Sequence, residues 1–198
     1  MTSFATLRKL ARRPDPNEHC DLCGAVVASQ HEHLIEPAAR KLMCSCSACA
    51  ILFSQRGETK YKRVPRQGRF LQDFAMTDAQ WDSLLIPIGL AFFLKSSTEG
   101  RVLAMYPGAA GSAESLLSLD TWTDIAQDNP VLAHMNSDVE ALLVNRLSVP
   151  AEYYLTPIDK CYELVGLIRS NWRGLAGGGE VWEKIRHFFT ELKEASRA

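Results

Sequence analysis

Apolar residues occupy every second position at Ile86, Ile88, Leu90, Phe92 and Leu94, the period of a β-strand. Phe93 stands between them and predicts that both faces of this strand are partly covered. "RVLAMYPG" (101–108) reads as a second strand, and "STEG" before it as a hairpin turn. "SDVEALLVNRL" (137–147) fits two elements: Ser137 with Glu140 makes a capping box for a short helix, yet "VEALLV" fits a buried strand. Further on the period lengthens. Cys161, Leu164, Val165, Ile168 and Trp172 share one helical face, with Thr156 as N-cap, Pro157 at the first helical position, Asp159 at the third and Gly174 as the stop. After "GLAGGGE", Trp182, Ile185, Phe189 and Leu192 mark a second amphipathic helix. Strands followed by two one-sided helices predict an α+β fold: a small sheet with C-terminal helices packed on one side.

Composition divides the 198 residues into four stretches. Residues 1–17 form a basic arm with no acid before Asp15, and 18–54 hold five of the six cysteines. Residues 55–70 are a basic linker containing Lys60, Lys62, Arg63, Arg66 and Arg69, and 71–198 form the α+β domain. A net charge of −1 argues against the whole chain partnering nucleic acid or anionic lipid, so the basic stretch reads as solvated. The longest apolar run, 84–94, is broken by Pro87 and Gly89. It is about half the ~20 residues a membrane-spanning helix needs, so no membrane insertion is expected. The start lacks the continuous apolar stretch of a secretory signal, and a solvated arm fits it better than a transit peptide. The expectation is a cytoplasmic chain with reduced thiols, and clustered pairs of reduced thiols point to a metal.

Cys20 and Cys23 form a C-x-x-C pair followed by Gly24, and Cys46 and Cys49 form a second pair 22 residues on. A C-x-x-C turn presents two thiolates to one metal, and the glycine permits the bend. Four thiolates saturate tetrahedral zinc and leave no position for water, so the expected role is a structural staple. Between the pairs, "HEHLIE" and "KLMCSC" read as two strands joined by "PAAR", and "SACAILF" starts a helix. Turn, hairpin and a helix carrying the last ligand resemble a treble-clef zinc finger. Cys44 leaves alternatives open: it can replace Cys46, remain a spare thiol, or join an iron–sulfur cluster, and four thiolates also suit iron.

His31 and His33 share a face of the expected strand. "HEHLIEP" resembles the histidine-bearing strand of HNH nucleases, although "AILFSQRGE" supplies no second catalytic histidine or asparagine. With the basic stretch, this sets a nuclease or nucleic-acid binder as one alternative. "YPGAAGSAES" (106–115) lacks the G-K-[ST] ending of a phosphate loop and reads as a strand-to-helix turn capped by Ser112. "GLAGGGE" reads as a flexible turn, because Glu180 opposes an anion there. Cys161 lies on an apolar helix face and reads as a buried, inert thiol. His134 and His187 have no partner at a telling spacing. No nucleophile, base and orienting group assemble, so an enzyme is not the favoured reading.

"CDLCG", "KLMCSCSAC", "IPIGLAFFL", "YPGAAGSAESLL", "DVEALLVNR", "PIDKCYELVGLIRSNWRG" and "GGGEVW" together resemble a largely uncharacterised bacterial family encoded near nickel–iron hydrogenase genes. The resemblance implies a cytoplasmic accessory role in maturation, assembly or docking, with hydrogenase subunits or maturation factors as partners. Two roles are consistent with it: a zinc-stapled, non-catalytic protein, or an iron or iron–sulfur protein that passes electrons to the hydrogenase.

Overall fold

The alternating residues around Phe93 lie near the middle of a six-stranded antiparallel sheet in a computed structural model of the chain. The structure describes residues 17–54, 59–115, 119–174 and 177–196, so the basic arm up to residue 16 lies outside it. In chain order the elements are β1 (Glu32–Glu36), β2 (Lys41–Ser45), α1 (Ser47–Phe53), β3 (Lys62–Arg63), β4 (Arg69–Phe70) and α2 (Asp78–Ser83). Then follow β5 (Leu90–Ser96), β6 (Arg101–Gly108), β7 (Gly111–Glu114), α3 (Leu119–Asp128), β8 (Glu140–Asn145), β9 (Glu152–Pro157), α4 (Ile158–Asn171) and α5 (Gly179–Ala195). Short 3-10 turns cover Pro37–Ala39 and Pro130–His134. A three-stranded sheet has the order β2-β1-β3, and the six-stranded sheet has the order β4-β9-β8-β5-β6-β7. The fold is α+β.

Alternation in β5 sends Leu90, Phe92 and Leu94 to one face and Ala91 and Phe93 to the other. The first face packs on α4 through Cys161, Leu164 and Ile168, and on α5 through Val181, Ile185, Phe188, Phe189 and Leu192. The C-terminal helices pack on this one side as expected, and the other face is covered too, as Phe93 implied. Trp81, Leu84, Trp122, Ile125, Leu132 and Met135, drawn from α2, α3 and the second 3-10 turn, bury the opposite face. The ambiguous stretch 137–147 is strand β8, central between β5 and β9 and fully buried from Ala141 to Val144. Glu140 does reach back, but to the backbone and side chain of Asn136, closing a turn before the strand.

Three local expectations shift. Thr156 does not cap α4: the ladder with β8 continues to Pro157, which becomes the N-cap itself. Ser112 does not cap a helix either, because 111–114 folds back on β6 as β7, with Gly111 at φ +123° in the turn. β5 starts at Leu90 rather than Ile86. At Gly89 the chain passes so close to the end of β8 that a Cβ would stand 2.9 Å from Leu147 Cδ2.

The basic stretch supplies one short strand to each sheet, β3 pairing with β1 and β4 with β9. Lys60 pairs with Glu36, while Arg63 and Arg66 both pair with the buried Glu32. Lys62 reaches Asp138, whose carboxylate accepts from Lys62 Nζ (2.6 Å), Ser97 N–H (2.9 Å) and Ser97 Oγ (2.5 Å). Burial pushes the Asp138 carboxyl up, but the bonds from Lys62 and Ser97 outweigh it and hold the group below its ordinary value. A depressed carboxylate contributes stability that is complete above its unfolded pKa and is lost as pH falls through the folded value. Asp138→Asn tolerates the local φ of +71° and is expected to cost about 2 kcal/mol at pH 7, from the loss of charge-assisted bonds. Urea midpoints followed by tryptophan fluorescence should show that difference shrinking below about pH 4. An equal difference at both pH values refutes the assignment.

Candidate metal centre

The two cysteine pairs are brought together by a turn, a hairpin and a helix start. In the first pair, Gly24 N–H donates to the Cys20 carbonyl and Cys20 N–H to the Ala25 carbonyl, both at 2.8 Å. Gly24 has φ +74°, a conformation in which a side chain is strained, so glycine suits the bend. Asp21 ties the turn to β2: its N–H donates to the Cys44 carbonyl (2.9 Å), and its carboxylate accepts from Cys44 N–H (2.7 Å). The β1–β2 hairpin then returns the chain, and Cys46 becomes the N-cap of α1, its Sγ accepting from Cys49 N–H at 3.4 Å.

The Sγ atoms of Cys20, Cys23, Cys46 and Cys49 all lie within 4.8 Å of one another, and those of Cys23 and Cys46 are 3.8 Å apart. A tetrahedral ion with metal–sulfur bonds of about 2.3 Å separates its sulfurs by about 3.8 Å. None of the six cysteines is in a disulfide. Burial alone would raise the Cys20 thiol, yet N–H groups of Cys46, Leu22 and Cys23 lower it to about 6. Cys49 is pushed up to about 12 by burial, by its bonds to the other three sulfurs and by the charge on Cys20. The Cys20 thiolate forms readily and its charge disfavours that of Cys49, so ionising both calls for a cation beside them. The four cysteines therefore form a group that can hold a metal ion, with zinc among the ions that suit it.

Support from packing is small here. Leu34, Met43 and Ala50 are the buried apolar core of this part, flanked by Leu22 and Tyr61. Ile35 and Val64 point the other way, into the core shared with β5, α4 and α5.

Cys44 is not in the four-sulfur group. It lies with His31 and His33, and one ring nitrogen of each histidine and the Cys44 Sγ are within 4.8 Å of one another. Burial and the charges of Asp21, Glu18 and Cys20 push the Cys44 thiol up. The sequence placed His31 and His33 on one face but did not connect them to Cys44. That connection needed the register, which sets His33 directly opposite Cys44. Cys161 is fully buried in the main core, and burial and Asp159 push its thiol well up. His187 is an exposed partner of Glu191, and His134 ends the 3-10 turn; neither joins a site.

The profile of a family of unknown function, DUF5947, matches residues 19–196. The chain belongs to that family. Comparison with curated proteins and with solved structures gives no match. The DUF5947 match spans both sheets and both groups of metal-ligating side chains, so the cysteine part and the larger sheet belong to one family unit. Among the described residues of this DUF5947 member, no helix is long and apolar enough to cross a membrane.

Proposed function

We propose that this chain is a zinc-binding, non-catalytic accessory protein. In this reading, residues 18–54 form a treble-clef-like module stapled by Cys20, Cys23, Cys46 and Cys49. The carrying observation is the closed set of four sulfurs within 4.8 Å, which saturates a tetrahedral ion and leaves no position for a substrate. The order of turn, hairpin and helix, with the last cysteine in the first turn of α1, supports the treble-clef comparison. Val26, Ile51, Leu52 and Phe53 are exposed on the same module and give it an apolar surface for a protein partner. The setting in a cytoplasmic nickel–iron hydrogenase system, in maturation, assembly or docking, rests on the sequence resemblance.

Elemental analysis of protein purified under reducing conditions tests the staple. Zinc is expected at the four cysteines and is expected to leave only as the module unfolds. A coloured, iron-loaded protein would replace the staple with the redox reading, and a folded, metal-free protein would end both. Cofractionation with hydrogenase subunits or maturation factors tests the setting. The nucleic-acid reading loses support because Lys60, Lys62, Arg63 and Arg66 already face carboxylates within the chain.

A further inference from the structure

The second group of ligating atoms differs in kind from the first, with two imidazoles and one sulfur. We propose that His31, His33 and Cys44 form a second metal site, for a borderline-soft late transition-metal dication such as zinc, cobalt or nickel, with one coordination position left open. The proposal rests on the four cysteines being a separate, filled structural site.

Register places the ligands. His31 immediately precedes β1 and is two residues from His33, so both point to one side, and His33 is the direct cross-strand partner of Cys44. The three side chains converge from adjacent strands, and their ligating atoms lie within 4.8 Å. The two rings meet edge to face at 4.6 Å.

Outer contacts orient both rings. His31 Nδ1 is 2.8 Å from the Ala28 carbonyl oxygen, with the exposed Glu18 carboxylate at 3.5 Å. His33 Nδ1 is 2.8 Å from Asp159 Oδ2. A neutral imidazole that donates from Nδ1 carries its lone pair on Nε2, and this pairing of histidine with a carbonyl or carboxylate is how metal-ligating rings are held. One ring nitrogen lacks a partner. The His31 side chain is only 7% exposed, and its Nε2 is buried without a hydrogen-bond partner. A histidine serving packing alone would not strand that nitrogen, because an unsatisfied buried acceptor is destabilising. A cation bound by Nε2 removes the deficit.

The donor set selects the ion. Two imidazoles with a thiolate suit zinc and its late 3d neighbours and disfavour magnesium and calcium, which take oxygen. Three protein ligands leave the fourth tetrahedral position to water, a small ligand or a partner's side chain, the pattern of working rather than stapling sites. Asp159 belongs to α4, so occupancy is tied to the contact between the hairpin and the larger sheet's helices. Asp159 is a positioning residue in this scheme.

Titration of the reduced, zinc-loaded full chain with cobalt(II) tests the site. One cobalt per chain is expected, with a thiolate-to-cobalt charge-transfer band and no zinc released. Cys44→Ser should lose the cobalt and the band, and His31→Ala should lose most of the affinity, both with the first zinc retained. Asp159→Asn should weaken cobalt binding about 10- to 100-fold at unchanged zinc content. If the purified protein already carries two zinc ions, one of them must vanish in Cys44→Ser. If His31→Ala does not fold, the Cys44→Ser result decides. Cobalt that enters only by displacing zinc, a band that survives Cys44→Ser, or no uptake at micromolar cobalt overturns the second site and leaves the staple standing. Zinc absent from the four cysteines while a Cys44-dependent ion still binds overturns the staple alone.

Discussion

Replacing Cys49 with serine is expected to release the metal from the four-cysteine group and unfold the hairpin module, while the six-stranded sheet survives. Cys49 is the buried cysteine of the four at the start of α1, and its loss leaves three sulfurs and no closed tetrahedron. Little within the module itself can hold it. Its own buried apolar core is Leu34, Met43 and Ala50, far short of what a unit of this size needs to offset chain entropy. Structural zinc contributes about 10–16 kcal/mol of apparent binding energy in small modules, so removing it dominates every local packing term. Metal content should fall to zero at these cysteines, and limited proteolysis should open sites within 18–54. The tryptophan signal of the larger sheet should persist, because Trp81, Trp122, Trp172 and Trp182 all pack there. A metal-free Cys49→Ser protein whose hairpin still resists protease would show that packing, not a cation, orders the module.

The cysteine pairs were readable in the sequence because C-x-x-C spacing is local, and the first pair, followed by Gly24, is a C-x-x-C-G turn. Its spacing and its glycine encode the bend directly, and the structure places Cys20, Cys23, Cys46 and Cys49 together. The two C-terminal helices were readable for a similar reason, since a one-sided apolar stripe is written along one stretch of chain. Phe93 also carried its message, a buried aromatic on the second face of β5. What the sequence hid depends on pairing. "VEALLV" fitted helix and strand alike until β5 and β9 flanked it. Thr156 had the chemistry of a cap, but the ladder with β8 claimed its backbone first. The link between His31, His33 and Cys44 depends on which residue of β2 faces which residue of β1, and on Asp159, 126 positions away. Residue spacing cannot state either relation.

Phe93→Ala asks whether the second face of the sheet is a core in its own right. Phe93 is fully buried and stacks on Trp122 with ring centroids 5.6 Å apart and planes 27° off parallel. Around it lie Trp81, Leu84, Ile125, Leu132 and Met135, which leave few ways for the cavity to collapse. Truncation is expected to cost about 4 kcal/mol, from the lost transfer energy and the void together. For a chain of this length that lowers Tm by about 8–16 °C. Urea denaturation should show the midpoint fall at constant slope. A cost below about 1 kcal/mol would mean that α2 and α3 cover the sheet without packing on it. Metal content supplies the second readout. The cysteine module meets the larger sheet through Ile35 and Val64, on the face opposite Phe93, so metal should stay bound at full stoichiometry in the weakened protein. Metal lost in step with the falling midpoint would instead mean that the two sheets unfold as one cooperative body joined through Ile35, Val64 and the Lys62–Asp138 bond.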